Sequence, residues 1–232
     1  MQNVTLATRP APGVPASFPF TVALEQNNRA IPGRPGRYLR GMEIYAEGSE
    51  IKKLYKVVSG TVRVCRMLPD GRRFIVLFAL PGEIFGLDGV QQHRFSAEAV
   101  TEVVLIAFAR KDLDAHMGRE PVAAQSWQAF TLEKLAMTQD RLILLGCRSA
   151  TERVAHFLLD LADRCRTRGN RLELPMSRYD IADHLELTAE TVSRVFTILR
   201  KDGMIAIEDH HNLHLLDYDR LAEVADLTGV AA

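Results

Sequence analysis

Three polar side chains between positions 190 and 194, Glu190, Ser193 and Arg194, carry hydrogen-bonding groups suited to the edges of DNA bases. A carboxylate accepts from the amino group of cytosine, and an arginine donates two hydrogen bonds to guanine O6 and N7. Residues four apart share one face of a helix, so Glu190 and Arg194 can address one G·C pair together. A glutamate in a first helical turn can also simply complement the helix dipole, so the surrounding elements decide between the two interpretations.

The residues around this trio predict two short helices that cross closely. Ser177 and Asp180 have the spacing of a capping box, which marks a helix start, and Thr188 is a favourable N-cap for a second helix. Small or apolar residues line one face of each helix: Ile181, Ala182, Leu185, Val192 and Val195. A turn of about three residues joins the helices, which is typical of a helix-turn-helix. Its second helix would present the polar trio to a major groove.

The turn and the residues after the second helix refine this prediction. Glu186 occupies the turn, where such motifs usually have glycine because the backbone has a positive φ. Residues 203–208 and 213–216 predict a β-hairpin, which would make the motif a winged helix-turn-helix. Polar and basic residues beside the base-reading face are candidates for contacts to DNA phosphates: Arg178, Thr188, Thr191, Arg200 and Lys201.

Upstream of the motif, the composition and the hydrophobic pattern of the sequence divide it into three segments. Residues 1–37 are rich in Pro and Gly and predict a flexible arm. Residues 38–120 contain short β-type runs separated by turns, which predicts a β-roll of the jelly-roll type. Residues 121–147 predict a helix nearly 40 Å long, and residues 148–232 contain the helix-turn-helix.

The long helix has an apolar stripe at three- and four-residue spacing. Its members are Leu132, Leu135, Thr138, Leu142 and Leu145. Packing against its own β-domain would explain the stripe, but so long a helix favours a seam with a second copy of the chain, and we predict a homodimer.

Composition limits the alternatives. The 232 residues carry no net charge, and from Arg148 onward eleven Lys and Arg face fifteen Asp and Glu, so DNA binding must rest on local charge placement. No apolar run reaches the 18 residues of a membrane span, and no secretory signal is evident. Three scattered cysteines fit a reducing cytoplasm. The histidines at 210, 211 and 214 lack carboxylates at ligand spacing, so we expect neither a metal nor catalytic residues.

Together these features resemble the CRP/FNR superfamily of transcription regulators. Residues 190–194, Glu-Thr-Val-Ser-Arg, are similar to the recognition helix of its FNR/FixK branch, and residues 48–64 are similar to its β-roll. The resemblance implies an α+β fold with a β-roll like a cyclic-nucleotide-binding domain, a long dimerisation helix and a C-terminal winged helix-turn-helix. It also implies TTGA…TCAA half-sites and contact with RNA polymerase, for which Gly86 and Asp88 lie in a loop resembling an activating patch.

Departures from the family pattern bear on the effector. The first 64 residues contain no cysteine, which argues against an N-terminal iron–sulfur cluster. Where cyclic-AMP binders of the family have a ribose-binding glutamate and a phosphate-binding arginine, this chain has Leu87 and Phe95. Arg94 is one residue away, and Gln139 replaces a serine next to Thr138. We therefore expect activity without a cofactor or small-molecule effector; the alternative is a cyclic-nucleotide-responsive regulator.

Two other functional classes are disfavoured. A nucleotide-binding module without DNA function does not explain the winged helix, and a cupin-type enzyme needs clustered ligands, whereas residues 38–110 contain a single histidine, His93. The tail from Thr228 to Ala232 resembles the Ala-Ala ends recognised by ATP-dependent proteases, so Ala231 and Ala232 are a candidate protease contact.

Overall fold

The computed structural model describes residues 33–165 and 170–225. Its strands are β1 (Gly33–Tyr38), β2 (Glu43–Tyr45), β3 (Lys53–Ser59), β4 (Val62–Met67), β5 (Arg73–Ala79), β6 (Ile84–Phe85), β7 (Ser96–Ala99), β8 (Val103–Ala109), β9 (Arg171–Glu173), β10 (Ile205–Ile207) and β11 (Asn212–Leu215). Its helices are α1 (Arg110–Arg119), α2 (Pro121–Cys147), α3 (Ala150–Cys165), α4 (Arg178–Leu185), α5 (Ala189–Lys201) and α6 (Tyr218–Val224).

Strands β1 to β8 form the predicted β-roll. Two four-stranded antiparallel sheets, in the orders β1-β8-β3-β6 and β2-β7-β4-β5, enclose its core. Alternate residues of β4 and β8 point inward, as the period of two requires: Val62, Val64, Val103 and Leu105 are each at most 2% exposed. The fold class predicted from the sequence is confirmed for this part of the chain.

The N-terminal arm is shorter than the sequence predicts. Residues 33–37, assigned to the arm because of their Gly and Pro content, belong to β1, which pairs with β8. Pro35 is tolerated because β1 is the outermost strand of its sheet. Gly33 is required for a close approach, since a Cβ atom there would lie 2.1 Å from Cγ2 of Ile106. The rest of the arm and the tail with Ala231 and Ala232 lie outside the described residues, so the protease contact stays a prediction.

Helix α2 begins with Pro121 in its first turn and continues for 27 residues. On one side Ala123 and Phe130 are buried, and Phe130 packs against Leu54, Ile84 and Phe108 of the β-roll. On the other side the stripe is open to solvent within this single chain, with Leu132, Leu135 and Leu142 between 54% and 69% exposed. The other two members of the predicted stripe differ in exposure. Leu145 is half-buried, and the exposed Thr138 donates its hydroxyl to the carbonyl of Lys134.

The C-terminal domain packs α3, α4, α5 and α6 beside a small sheet of order β10-β11-β9, and their apolar core continues into the β-roll at Ile75, Phe78 and Leu80. Strands β10 and β11 form the predicted wing, in the register Ile205 opposite Leu215. In the part of the chain that the structure describes, no helix is both long enough and apolar enough to cross a membrane.

Candidate DNA-binding interface

Helix α4 begins with the capping box predicted from the sequence. The Ser177 hydroxyl accepts a hydrogen bond from the backbone N–H of Asp180 at 3.1 Å, and the Asp180 carboxylate accepts from the N–H of Ser177 at 3.0 Å. Two of the helix's unpaired N-terminal donors are thus satisfied within the motif.

Helix α5 is positioned against α4 by small and branched side chains. Ala182 is 3% exposed, and Val192 and Val195 are at most 4% exposed. Thr188 caps α5, because its hydroxyl accepts from the N–H of Thr191 at 3.1 Å. The helix-turn-helix predicted from the sequence is confirmed.

The turn between the helices has the conformation expected for a glycine. Glu186 has φ 55° and ψ 46°, and it is the one non-glycine with positive φ among the described residues. The strain of this left-handed conformation is about 1–2 kcal/mol for a residue with a Cβ.

Glu186→Gly is therefore expected to leave the free energy of unfolding unchanged or to raise it by up to about 1 kcal/mol, since relief of strain exceeds the added chain entropy. The exposed contact of Glu186 with Arg72 at 3.8 Å contributes little. Glu186→Ala is the matched control, because it removes the carboxylate but keeps the strained backbone. It should not raise the free energy of unfolding. Urea unfolding gives the free energy of unfolding of wild type and both variants. A clear loss of stability in Glu186→Gly would contradict this account of the turn.

The outer face of α5 carries the three predicted base-reading residues. Glu190 and Arg194 form an ion pair with each other, and their side chains are 73% and 71% exposed. Ser193 is also exposed, and its hydroxyl donates to the carbonyl of Ala189 at 2.8 Å. An exposed pair four residues apart stabilises a helix by about 0.3–0.5 kcal/mol, whereas a bidentate contact to a base contributes about 1–3 kcal/mol. Breaking the ion pair therefore costs little, and both side chains remain available for other hydrogen bonds.

The predicted phosphate contacts surround this face. Thr188, Arg200 and Lys201 are exposed, and Thr191 is half-buried beside Thr188. Arg178 differs, because its guanidinium lies 3.6 Å from the ring centroid of Phe196 and burial lowers its pKa to about 10. A shallow groove runs between the two helices and the wing. It is lined by Arg178, Ser193, Phe196, Thr197, Ile207, Asp209 and His210.

The N-terminal end of α4 is bound to the β-roll. Arg63 of β4 and Arg73 of β5 donate to the same oxygen of Asp180, at 2.9 Å and 2.6 Å, and Arg73 also reaches Asp183 at 2.8 Å. Burial alone would raise the pKa of the Asp180 carboxyl, but the hydrogen bonds from Ser177 and the two guanidiniums outweigh it and hold this pKa below its usual value. The carboxylate that caps α4 therefore also fastens it to the β-roll.

The C-terminal end of α4 is held by arginines of two other helices. Arg141 of α2 donates to the carbonyl of His184, and Arg153 of α3 donates to the carbonyl of Leu185 at 3.1 Å. Positive charge at this end complements the helix dipole and satisfies carbonyls that lack partners within the helix.

His184 is enclosed in this contact. Its Nδ1 lies 3.1 Å from the carbonyl of Ile75, and its Nε2 lies 2.9 Å from Nη1 of Arg141, so the ring is neutral with the proton on Nδ1. Burial, followed by the charge of Arg141, holds the pKa of His184 well below its usual value.

His184 is therefore expected to make stability depend on pH. Below about pH 6.5 the unfolded chain binds a proton at this residue that the folded protein does not, so the free energy of unfolding falls by up to about 1.4 kcal/mol per pH unit. His184→Gln should flatten this slope, whereas His211→Gln, on the wing, should not. Denaturant unfolding between about pH 5 and pH 8 measures the slopes, and equal slopes in wild type and His184→Gln would contradict the assignment.

Sequence reasoning missed the residues that position α4. Arg63 and Asp180 are 117 residues apart, and Arg141 and His184 are 43 residues apart, so no local pattern links them. It also did not anticipate the surroundings of the predicted polymerase contact. Gly86 is buried, and Asp88 turns inward, where its carboxylate lies 2.6 Å from Nδ1 of His93 and accepts from the N–H of Phe95. These two residues do not form an exposed patch.

The segment that departs from cyclic-AMP binders is packed with apolar and aromatic side chains. Leu87 packs against the cluster around Phe108 and Phe130, and Phe95 packs against the β-roll core with the Arg66 guanidinium 5.4 Å from its ring centroid. Arg94 is exposed. Four rings stack in the same region: those of Tyr45, Tyr55, Phe85 and His93.

Comparisons with known proteins agree with this architecture. Residues 35–120 match the cyclic nucleotide-binding domain family, and residues 152–224 match the Crp-like helix-turn-helix domain family. The chain is 41% identical over 189 residues to the nitrogen fixation regulation protein FixK of Rhizobium meliloti, covering 82% of this chain and 86% of that protein. It is 42% identical over 193 residues to FixK of Azorhizobium caulinodans, covering 82% and 78%. The structure of FixK2 from Bradyrhizobium japonicum is similar with a TM-score of 0.80 and 36% identity, covering 83% of this chain and 97% of that one.

Proposed function

The chain belongs to the CRP/FNR superfamily of DNA-binding transcription regulators, in its FixK-type branch, and from this premise we propose that it activates transcription as a homodimer on a TTGA-N6-TCAA palindrome. The observation that carries the proposal is the exposed pair of Glu190 and Arg194 at the N-terminal end of α5. Arg194 pairs with the guanine of TTGA, Glu190 accepts from the cytosine opposite, and Ser193 lies between them on the same helix.

The proposed dimer forms along α2. Leu132, Leu135 and Leu142 follow the spacing of a two-helix seam, and burying one such leucine contributes about 1.5–3 kcal/mol. Parallel helices related by a two-fold axis place the two recognition helices about one turn of DNA apart, or 10–10.5 bp between half-site centres. TTGA-N6-TCAA has ten base pairs between its centres, which is four plus six.

Activation without a small-molecule effector is part of the proposal. The packing of Leu87 and Phe95 and the solvent exposure of Arg94 leave the nucleotide contacts of the family without equivalents. Purified protein is therefore expected to bind its site equally well with and without cyclic AMP. An increase in affinity of about tenfold or more, equivalent to 1.4 kcal/mol, would favour a cyclic-nucleotide-responsive regulator instead.

Recruitment of RNA polymerase and action in the cytoplasm complete the proposal. Relatives named as activators, such as the transcriptional activator protein FnrL of Cereibacter sphaeroides, support the activating role. Gly86 is buried and Asp88 turns inward, which favours another surface for the contact with RNA polymerase. On the same loop, Val90 is 88% exposed and is a better candidate.

A gel shift tests the proposal directly. The protein should bind the TTGA-N6-TCAA duplex and release it when five base pairs are inserted in the spacer, because the second half-site then faces the opposite side of the DNA. Equal affinity for a scrambled duplex of the same length would overturn the proposed specificity.

A further inference from the structure

Arg141 links all three parts of the described chain. It stands on the long helix α2, and its guanidinium donates to the carbonyl of Ile75 in β5 at 3.0 Å and to the carbonyl of His184 at the end of α4. Its other amino group lies 2.9 Å from Nε2 of His184. A single planar group therefore joins the β-roll, the long helix and the first helix of the helix-turn-helix.

The contact suits a role in orientation. A guanidinium presents its donors in a rigid plane, so several simultaneous hydrogen bonds restrict both the distance and the angle between the groups it joins. The partners are two carbonyls and a neutral ring, with the ring of Phe74 5.9 Å away. Burial in this setting lowers the pKa of Arg141 to about 10. A surface arginine would avoid this desolvation, so the contact has a cost that its structural role must offset.

We propose that Arg141 is a positioning residue that sets the distance between the two recognition helices and thereby the spacer length that the dimer accepts. The inference rests on the proposed function, because it takes α2 as the dimer seam and α5 as the recognition helix. In such a dimer, α2 is the element nearest the two-fold axis. The angle between α2 and α4 then determines where α5 meets the DNA.

Spacer length is a sensitive measure of that angle. One added or removed base pair moves a half-site by about 3.4 Å and rotates it by about 34°. A dimer with a rigid link between α2 and α4 cannot follow this displacement. A dimer in which the link is loosened can follow the displacement, and each recognition helix still reads its half-site.

The test compares duplexes with five, six and seven base pairs between the half-sites, at fixed ionic strength, for wild type, Arg141→Met and Arg37→Met. Arg37 is the matched control, since its guanidinium pairs with Glu102 on the surface of the β-roll. Wild type and Arg37→Met are expected to prefer the six-base-pair spacer by about tenfold or more, and Arg141→Met should reduce this ratio to about threefold or less. Affinity for a duplex with a single intact half-site should stay the same in all three.

A role in folding alone would give a different result. A partly unfolded Arg141→Met would lose affinity for every duplex, including the single half-site, by the same factor, and that outcome overturns the inference. If Arg141→Met does not fold, Arg141→Lys replaces it, because it keeps the charge but not the planar fork, and it should show an intermediate ratio.

A folded variant of either kind with the wild-type ratio overturns the inference and leaves the proposed function intact. Wild type that binds none of the three duplexes overturns the proposed function itself.

Discussion

Arg194→Ala is expected to weaken binding to the TTGA-N6-TCAA duplex by about 1–3 kcal/mol in each half-site, because a bidentate contact to guanine is lost. The dimer contains two such contacts, so the losses in binding free energy add. Among single substitutions on the DNA-binding face, this variant should therefore lose the most affinity. On duplexes in which the G·C pair of each half-site is replaced, wild type and Arg194→Ala should bind almost equally. Titrations by fluorescence anisotropy on both duplexes measure this difference.

Two further variants sharpen this prediction. Glu190→Ala should show the same dependence on the G·C pair, because its carboxylate addresses the cytosine. Lys201→Ala should instead weaken cognate and altered sites alike and reduce the slope of log affinity against log salt by about two, one for each protomer. If Arg194→Ala loses the same factor on both duplexes, Arg194 contacts the backbone and the assignment of base reading is wrong.

Leu135→Glu combined with Leu142→Glu is expected to convert the protein to a monomer and to abolish tight binding to the palindrome. Both leucines are more than half exposed in the single chain, so the isolated chain should keep its fold. In a dimer the new carboxylates would be buried without partners, at a cost of several kcal/mol. The affinity should fall by about 10³-fold or more, towards that of non-specific binding.

The matched control for the dimer seam is Met67→Glu. Met67 is 62% exposed at the end of β4, so the substitution places a charge on an equally exposed apolar residue away from α2. It should remain dimeric and bind normally. Light scattering gives the mass of each variant, and a dimeric double variant with wild-type affinity would place the seam elsewhere.

The helix-turn-helix could be predicted from the sequence because its determinants are local. The capping box at Ser177, the N-cap at Thr188 and the strained turn at Glu186 each lie within a few residues of their partners. The jelly-roll class was equally accessible, since alternating strands and turns mark it. The apolar stripe of α2 could be predicted from the three- and four-residue spacing of its members alone.

Features that depend on distant partners could not be predicted. Glycine and proline made residues 33–37 resemble an arm, and only pairing with β8 makes them a strand. Asp88 lies in a loop that resembles an activating patch, but the sequence does not show that its carboxylate turns inward to His93. Likewise, nothing near Arg63, Arg73 or Arg141 in the sequence indicates that they meet α4.

The double role of Asp180 has a consequence for how the protein unfolds. Its carboxylate closes the capping box of α4 and receives Arg63 and Arg73 from the β-roll. Opening the first turn of α4 exposes both arginines, and undocking the β-roll removes the charges that stabilise the cap. Each of these two events breaks contacts that the other needs, so they are coupled. Local fraying of α4 is therefore suppressed. The β-roll and the helix-turn-helix should therefore behave as one cooperative unit rather than as two independent domains on a hinge.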